Sequence, residues 1–141
     1  MNKENWTTEN IPDQKGKIII VTGATSGLGK QASKILSGKN ATVVMGVRNL
    51  EKAEAVKKEF ISSNPTVLID ILKLDLGNLA SIKEFAKTFL SKYERLDVLI
   101  NNAGIMMCPY SKTSDGFEIQ MGTNHFGPFA LTGLLMPILR K

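Results

Sequence analysis

A glycine-rich segment that follows a continuous apolar run has the spacing of an anion-binding turn. The apolar run covers residues 18–21, and Gly23, Gly27 and Gly29 follow it, ahead of a segment with helical apolar spacing. Gly23 would allow a tight turn, Gly27 would bring bare backbone against a pyrophosphate, and Gly29 would let the helix pack closely on the strand. The first N–H groups of that helix have no intrahelical partners, so with the helix dipole they attract an anion. We predict a diphosphate site here; a glycine-rich turn without a ligand is the alternative.

A basic residue lies at the position that contacts the adenosine ribose in dinucleotide-binding folds. Arg48 comes directly after the second predicted strand, which covers residues 41–47. An acid at this place hydrogen-bonds the 2′-hydroxyl, whereas an arginine favours a 2′-phosphate. We therefore predict NADP(H) as the preferred coenzyme and NAD(H) as the second choice. The alternative is a surface arginine beside the second helix.

The elements that would hold these residues alternate between strands and helices. Predicted strands cover residues 17–21, 41–47, 67–74 and 98–101, and segments with helical apolar spacing separate them. The first strand is apolar throughout, as in a parallel sheet buried on both faces. Asp70 and Lys73 give the third strand the character of an edge. The pattern predicts an α/β fold, a partial Rossmann-type doubly wound parallel sheet with strands ordered 3-2-1-4.

Several residues predict where the helices begin and end. Gly38 favours a left-handed end to the first helix, Asn49 caps the second, and Asn78 or Ser81 opens the third. A long apolar helix is predicted over residues 115–139. Gly127-Pro128 within it should bend the helix or remove one hydrogen bond.

Two parts of the chain are distinguished by composition. Residues 1–16 are interpreted as a polar arm laid over the domain, with Trp6 and Ile11-Pro12 as its anchors. Residues 17–141 are interpreted as a dinucleotide-binding half-domain.

Two motifs carry a resemblance to a known family. Thr22-Gly23-x-x-x-Gly27-x-Gly29 resembles the coenzyme motif of the short-chain dehydrogenase/reductase family, and Asn101-Asn102-Ala103-Gly104 is similar to its second motif. Residues 97–109 and 115–118 most resemble the retinol-dehydrogenase-like branch. The resemblance extends from about residue 11 to the last residue.

The resemblance implies an oxidoreductase that passes hydride between a nicotinamide coenzyme and a carbonyl or alcohol substrate, which in this branch is a hydrophobic aldehyde or ketone. Val47 occupies the place where NAD-using relatives tend to carry an acid. Asp75-Leu76 resembles the adenine-contacting pair, with a helix-capping role for Asp75 as the alternative. In the family, an asparagine matching Asn124 orders a water between the catalytic lysine and solvent; a buried amide satisfied by backbone is the alternative. The implied coenzyme-binding residues are Gly23, Thr25, Ser26, Gly27, Leu28, Gly29, Arg48, Asp75, Leu76, Asn102, Ala103 and Gly104.

The family's Tyr-x-x-x-Lys pair does not occur in these 141 residues. Tyr93 and Tyr110 are the only tyrosines, and Asp97 and Ser114 stand four residues after them. We therefore interpret the chain as the amino-terminal half of an enzyme, inactive alone. Because family members commonly pair through the helices around the fourth and fifth strands, the resemblance also implies a homo-oligomer for the intact protein. Without a fifth strand, residues 98–100 would form an unpaired edge that invites association. A non-catalytic nucleotide-binding module or scaffold, and a fragment completed by another chain, are the alternatives.

Composition sets the remaining expectations. The net charge of +5 is mild and spread over helical segments, which argues against a nucleic-acid partner. No apolar run approaches the roughly 20 residues that span a bilayer, so no membrane association is expected. Cys108 is the only cysteine and His125 the only histidine, which excludes an internal disulfide and gives a metal site no support. A cytoplasmic location is the expectation.

Overall fold

A computed structural model describes residues 6–139. Four strands alternate with three helices in its first part. They are β1 (Ile18–Thr22), α1 (Gly27–Gly38), β2 (Thr42–Val47), α2 (Leu50–Ser63), β3 (Leu68–Lys73), α3 (Leu79–Lys92) and β4 (Val98–Ile100). A one-turn helix α4 (Ile119–Met121), a π-helical segment (Gly122–Phe126) and α5 (Gly127–Leu139) follow.

The four strands form one parallel sheet in the order β3-β2-β1-β4. β1 is central, because Ile19 pairs with Val43 of β2 on one side and with Val98 of β4 on the other. The predicted strand order and the edge position of β3 are therefore confirmed. In a sheet of this kind, ligands bind beyond the carboxyl ends of the strands.

Successive residues of the central strands enter two different apolar clusters. Ile20 packs in a cluster built with α3 and α5, which includes Phe85 and Leu131. Its neighbour Ile19 packs in a cluster on the opposite face with residues of α2, among them Phe60. Side chains alternate between the two faces of a strand, so a strand with both faces covered must be apolar at every position. This explains why residues 18–21 form an unbroken apolar run.

The predicted caps of the second and third helices are confirmed, and so is the predicted end of the first helix at Gly38; the left-handed conformation predicted for Gly38 is wrong. The Asn49 side chain accepts the N–H of the third residue of α2, and Asn78 does the same at α3. Gly38 is the last residue of α1 but is not left-handed. The left-handed residue is Asn40, with φ 71°, and its side-chain amide donates to Asp13 Oδ1 at 2.9 Å. Asparagine tolerates this conformation because its short polar side chain hydrogen-bonds locally.

The carboxyl-terminal helix is shorter and less regular than the sequence predicted. It begins at Ile119 instead of residue 115, because the Glu118 side chain accepts the first free N–H groups and ends the preceding turn. These two hydrogen bonds lower the pKa of the Glu118 carboxyl. A π-helical segment then lies directly before Gly127-Pro128, in agreement with the expected disruption there. Pro128 has no N–H to donate to the carbonyl of Asn124, which an α-helix would require.

The amino-terminal arm is held by Gln14 instead of Trp6. The Trp6 side chain is 71% exposed, so its predicted role as an anchor is wrong, whereas Gln14 is buried. The N–H of Gln14 donates to the carbonyl of Lys39 at 2.7 Å. Within residues 6–139, no helix has both the length and the apolar character that crossing a membrane requires.

Candidate functional site

The turn between β1 and α1 has the conformation that its glycines predicted. Gly23 and Gly27 have positive φ angles of 66° and 53°, which glycine adopts readily and other residues do not. A Cβ atom at Gly29 would lie 2.5 Å from the carbonyl oxygen of Gly23 and 2.4 Å from the side-chain amide of Asn102. Helix α1 therefore lies so close to the end of β1 that a residue with a side chain would not fit at position 29.

The amino terminus of α1 leaves its first N–H groups open. Ser26 is the N-cap residue, but its side chain makes no capping hydrogen bond. The N–H groups of the first turn have no carbonyl partner within the helix, and the helix dipole adds partial positive charge at the same place. The arrangement suits a diphosphate, and the Ser26 hydroxyl is free to contribute a further hydrogen bond.

Thr22 joins the ends of β1 and β4. Its hydroxyl oxygen accepts the backbone N–H groups of Asn102 and Ala103, both at 3.0 Å. In return, the Asn102 side-chain amide donates to the carbonyl of Thr22 at 2.9 Å. A Cβ atom at Gly23 would lie 2.9 Å from Ala103 Cα, so the two loops are in direct contact.

These loops form one wall of a cavity of about 470 Å³ at the carboxyl ends of the strands. Three other segments complete it: the residues after β2, the residues after β3, and the π-helical segment. The lining residues are Thr22, Gly23, Thr25, Ser26, Gly46, Val47, Arg48, Asn49, Lys52, Leu74, Asp75, Leu76, Asn102, Ala103, Gly104, Ile105 and Thr123. The volume falls within the range of small-molecule and cofactor sites.

Two cationic residues line the cavity. Arg48 and Lys52 both line it and are exposed. The ion pairs found within residues 6–139 involve Lys30, Lys92 and Arg95 and neither of these two. Sequence reasoning identified Arg48 and missed Lys52. Lys52 could have been identified from its position in the first turn of α2, the helix that directly follows β2 and Arg48.

Asp75 is held in a turn and does not cap α3. Its Oδ1 accepts the N–H of Gly77 at 2.9 Å, and its own N–H donates to Ser81 Oγ at 2.9 Å. Asn78 is the N-cap of α3, so the helix-capping alternative for Asp75 is not what the structure shows. Asp75 lines the cavity beside Leu76, and its Oδ2 makes no hydrogen bond to any residue from 6 to 139.

Asn124 pairs with the backbone of Ile105, a residue that lines the cavity. Its Oδ1 accepts the Ile105 N–H at 2.8 Å, and its Nδ2 donates to the Ile105 carbonyl at 2.7 Å. Backbone groups thus satisfy the hydrogen bonding of the Asn124 amide, in agreement with the alternative given for this residue. Asn124 is exposed, however, and not buried as that alternative assumed. This two-bond contact joins the π-helical segment to the loop after β4.

Most of the residues selected from the sequence meet at this cavity. Nine line it: Gly23, Thr25, Ser26, Arg48, Asp75, Leu76, Asn102, Ala103 and Gly104. Gly27 and Gly29 shape the adjoining turn, while Leu28 is 82% exposed and does not line the cavity. Lys52, Asn49, Ile105 and Thr123 were not foreseen. In the part of the chain that the structure describes, no three His, Cys, Asp or Glu residues are grouped to hold a metal.

Comparison with known proteins agrees with this geometry. The family model described as short chain dehydrogenase matches residues 17–141. The chain belongs to the short-chain dehydrogenase family. It is retinol-dehydrogenase-like: it is 48% identical to Retinol dehydrogenase 11 of Homo sapiens over 89% of this chain and 40% of that protein. It is 43% identical to Retinol dehydrogenase 12 of Mus musculus over 96% of this chain and 42% of that protein. The chain therefore spans about two fifths of the length of these relatives.

Solved structures of short-chain dehydrogenases share the fold. A crystal structure of an uncharacterized protein from Mycobacterium paratuberculosis superimposes with a TM-score of 0.82 at 43% identity, over 94% of this chain and 46% of that one. A short chain dehydrogenase from Shigella flexneri, solved in complex with NADP, gives a TM-score of 0.74 at 31% identity, over 90% of this chain and 55% of that one.

Proposed function

We propose that this chain binds NADP(H) in preference to NAD(H) and forms the coenzyme-binding half of an oxidoreductase. The supporting observation is the cavity that unites the glycine turn with Arg48 and Lys52. Val47, the last residue of β2, is buried and apolar. This position therefore has no carboxylate that could accept a hydrogen bond from a ribose 2′-hydroxyl or repel a 2′-phosphate.

Each wall of the cavity has the chemistry for one part of the coenzyme. The N–H groups at the start of α1 suit the diphosphate. Arg48 and Lys52 suit a 2′-phosphate, because charge-assisted hydrogen bonds are the stronger kind. Asp75 suits the exocyclic amine of adenine, and Ala103 and Gly104 leave room for the adenosine ribose. The bound nicotinamide would supply the hydride that the reaction transfers.

The relatives support a proposal for the activity of the whole protein. Two of the relatives are named retinol dehydrogenases, so we propose a hydrophobic aldehyde or ketone, or the corresponding alcohol, as the substrate. Asn124 would order a water near the reaction centre through its main-chain carbonyl, to which Pro128 has no N–H to donate. The family's Tyr-x-x-x-Lys pair is not in these residues, so we propose that the chain alone is inactive. We propose a homo-oligomeric, cytoplasmic enzyme for the intact protein, with no nucleic-acid or membrane partner.

A non-catalytic nucleotide-binding module is the second candidate, because the cavity by itself accounts for nucleotide binding and not for a catalytic step. Turnover distinguishes the two functions. The longer protein that contains this chain should oxidise NADPH in the presence of aldehydes if it is the enzyme. Binding of NADPH without turnover of any aldehyde in a broad panel would favour the module.

Calorimetry with NADPH and NADH tests the coenzyme preference. We expect Arg48→Ala and Lys52→Ala each to lower the NADPH-to-NADH affinity ratio by about tenfold, since each removes one charge-assisted hydrogen bond. Lys58→Ala is the matched control, because Lys58 is an exposed lysine of α2 that does not line the cavity. An unchanged ratio in both cavity variants would refute the preference. Absence of binding by either coenzyme would refute the function of the site itself.

A further inference from the structure

Residues 111–118, called the strap below, connect two walls of the cavity that are distant in sequence. The strap is a short antiparallel turn, closed by a bridge between Lys112 and Glu118. The N–H of Thr113 donates to the carbonyl of Phe117 at 2.8 Å within it. None of the strap residues is among those that line the cavity, so any effect of the strap on a ligand acts through other residues.

The strap is attached to the segment after β3 by two hydrogen bonds. Ser114 Oγ donates to the carbonyl of Gly77 at 3.3 Å. Asp115 Oδ2 accepts the N–H of Leu79 at 2.9 Å. Leu79 is the first residue of α3, and an N–H in the first turn of a helix has no intrahelical acceptor. A carboxylate 36 residues further along the chain therefore supplies an acceptor that the helix lacks.

Gly77 connects the strap to the Asp75 carboxylate through hydrogen bonds to both. The N–H of Gly77 donates to Asp75 Oδ1 at 2.9 Å, while its carbonyl receives the Ser114 hydroxyl. A Cβ atom at Gly77 would lie 3.3 Å from both Asp75 Oδ1 and Thr123 Oγ1. Gly77 is therefore hydrogen-bonded through both its N–H and its carbonyl. A displacement of the strap would move the Gly77 N–H, which is the group that orients the Asp75 carboxylate.

The strap also packs against the π-helical segment. Thr113 is buried, and its methyl carbon lies 2.4 Å from the position a Cβ atom would take at Gly122. Gly122 directly precedes Thr123, which lines the cavity. The strap consequently contacts both segments that carry the lining residues Asp75 and Thr123.

We propose that the strap is a positioning element that sets the place of the Asp75 carboxylate and thereby makes the site selective for adenine among purine bases. The inference rests on the proposed coenzyme function. Adenine presents an amine that donates to a carboxylate, whereas hypoxanthine presents a carbonyl oxygen at the same position. A carboxylate held in place accepts a hydrogen bond from adenine and repels hypoxanthine, and a mobile carboxylate distinguishes the two less.

The experiment measures the affinity of the chain for NADPH and for its hypoxanthine analogue by calorimetry. For the unsubstituted chain we expect NADPH to bind about tenfold more tightly, since a mismatched polar group leaves a buried partner unpaired. Asp115→Ala and Ser114→Ala should reduce the ratio to about threefold or less, because each removes one attachment. Asp115→Asn keeps an acceptor for the Leu79 N–H and should retain the selectivity of the unsubstituted chain. A general loss of structure would lower both affinities and leave their ratio unchanged.

Asp75→Ala separates the two proposals. If Asp75→Ala abolishes the selectivity while Asp115→Ala and Ser114→Ala preserve it, the positioning role of the strap is refuted and the coenzyme site stands. If the unsubstituted chain binds neither nucleotide, the proposed function is refuted together with the inference. Circular dichroism spectra that match the unsubstituted chain establish that each variant is folded.

Discussion

Thr22 and Asn102 each hydrogen-bond the backbone of the other. Thr22 Oγ1 accepts the Asn102 N–H at 3.0 Å, and Asn102 Nδ2 donates to the Thr22 carbonyl at 2.9 Å. The Thr22 side chain is fully buried. This reciprocal contact fixes the ends of β1 and β4 relative to each other, and the loops after both strands line the cavity.

Thr22→Val should destabilise the fold and weaken coenzyme binding. Valine keeps the shape of threonine but leaves the N–H groups of Asn102 and Ala103 without their acceptor. We expect a loss of about 1–3 kcal/mol in the free energy of unfolding, the cost of unsatisfied buried donors. Urea denaturation measures this loss. Thr22→Ser keeps the hydroxyl and should cost less than Thr22→Val; equal losses would show that the hydroxyl contributes nothing.

Gly29→Ala and Gly38→Ala should have opposite effects, although both glycines belong to α1. A Cβ atom at Gly29 would clash with the carbonyl of Gly23 and the Asn102 amide, whereas a Cβ atom at Gly38 meets no atom of residues 6–139 within 4 Å. We expect Gly29→Ala to cost about 1–3 kcal/mol and Gly38→Ala to stabilise by up to about 1 kcal/mol. Thermal unfolding of the two variants checks both signs. A neutral Gly29→Ala would contradict the close approach of α1 to β1.

Asp97 should contribute stability that is lost in acid. The hydrogen bond from the Arg95 guanidinium is the main reason why the pKa of the Asp97 carboxyl lies below its usual value. Burial opposes it as the second-largest effect, and the hydrogen bond from the N–H of Ile18 lowers the pKa further. A carboxyl whose pKa is lower in the folded state than in the unfolded state stabilises the fold when it is ionised. This contribution to the free energy of unfolding is fully present at pH values above the unfolded-state pKa of about 3.9, and it disappears as the pH falls through the folded-state pKa. Asp97→Asn should therefore be less stable than the unsubstituted chain near pH 7.

The stability difference between Asp97→Asn and the unsubstituted chain should shrink as the pH is lowered to about 3. Urea denaturation at a series of pH values measures it. Glu94→Gln is the control, since Glu94 is exposed and belongs to no ion pair found within residues 6–139. A difference that stays constant with pH would contradict the role of the Asp97 charge.

Asn124→Ala should loosen the contact between the π-helical segment and the loop after β4. The substitution removes both hydrogen bonds to the Ile105 backbone, which we expect to cost about 1–3 kcal/mol in the free energy of unfolding. His125→Ala is the adjacent control, because His125 is exposed and its ring lies beside the rings of Phe126 and Phe129, away from the hydrogen bonds between Asn124 and Ile105. Hydrogen exchange at the Ile105 amide should speed up in Asn124→Ala and stay unchanged in His125→Ala. Equal exchange in the two variants would contradict the prediction.

The sequence by itself determined the order of the elements and the chemistry of their ends. Apolar periodicity depends on neighbours within a few residues, so strands, helices and the caps at Asn49 and Asn78 could be read directly. The glycine spacing after residue 21 also predicted the turn, because glycine takes the positive φ angles of Gly23 and Gly27 more readily than residues with a side chain. Alternation of strands and helices limited the topology to the parallel order that the sheet adopts.

The tertiary structure alone decided which distant side chains share a surface. Lys52 belongs to the cavity because β2 ends at its rim, and Asn124 pairs with Ile105 because the π-helical segment packs there. The hydrogen bond between Asp115 and the N–H of Leu79, 36 residues earlier in the chain, is likewise a contact between distant parts of the sequence. Such contacts depend on how whole elements pack in space, and no local pattern of residues records that packing.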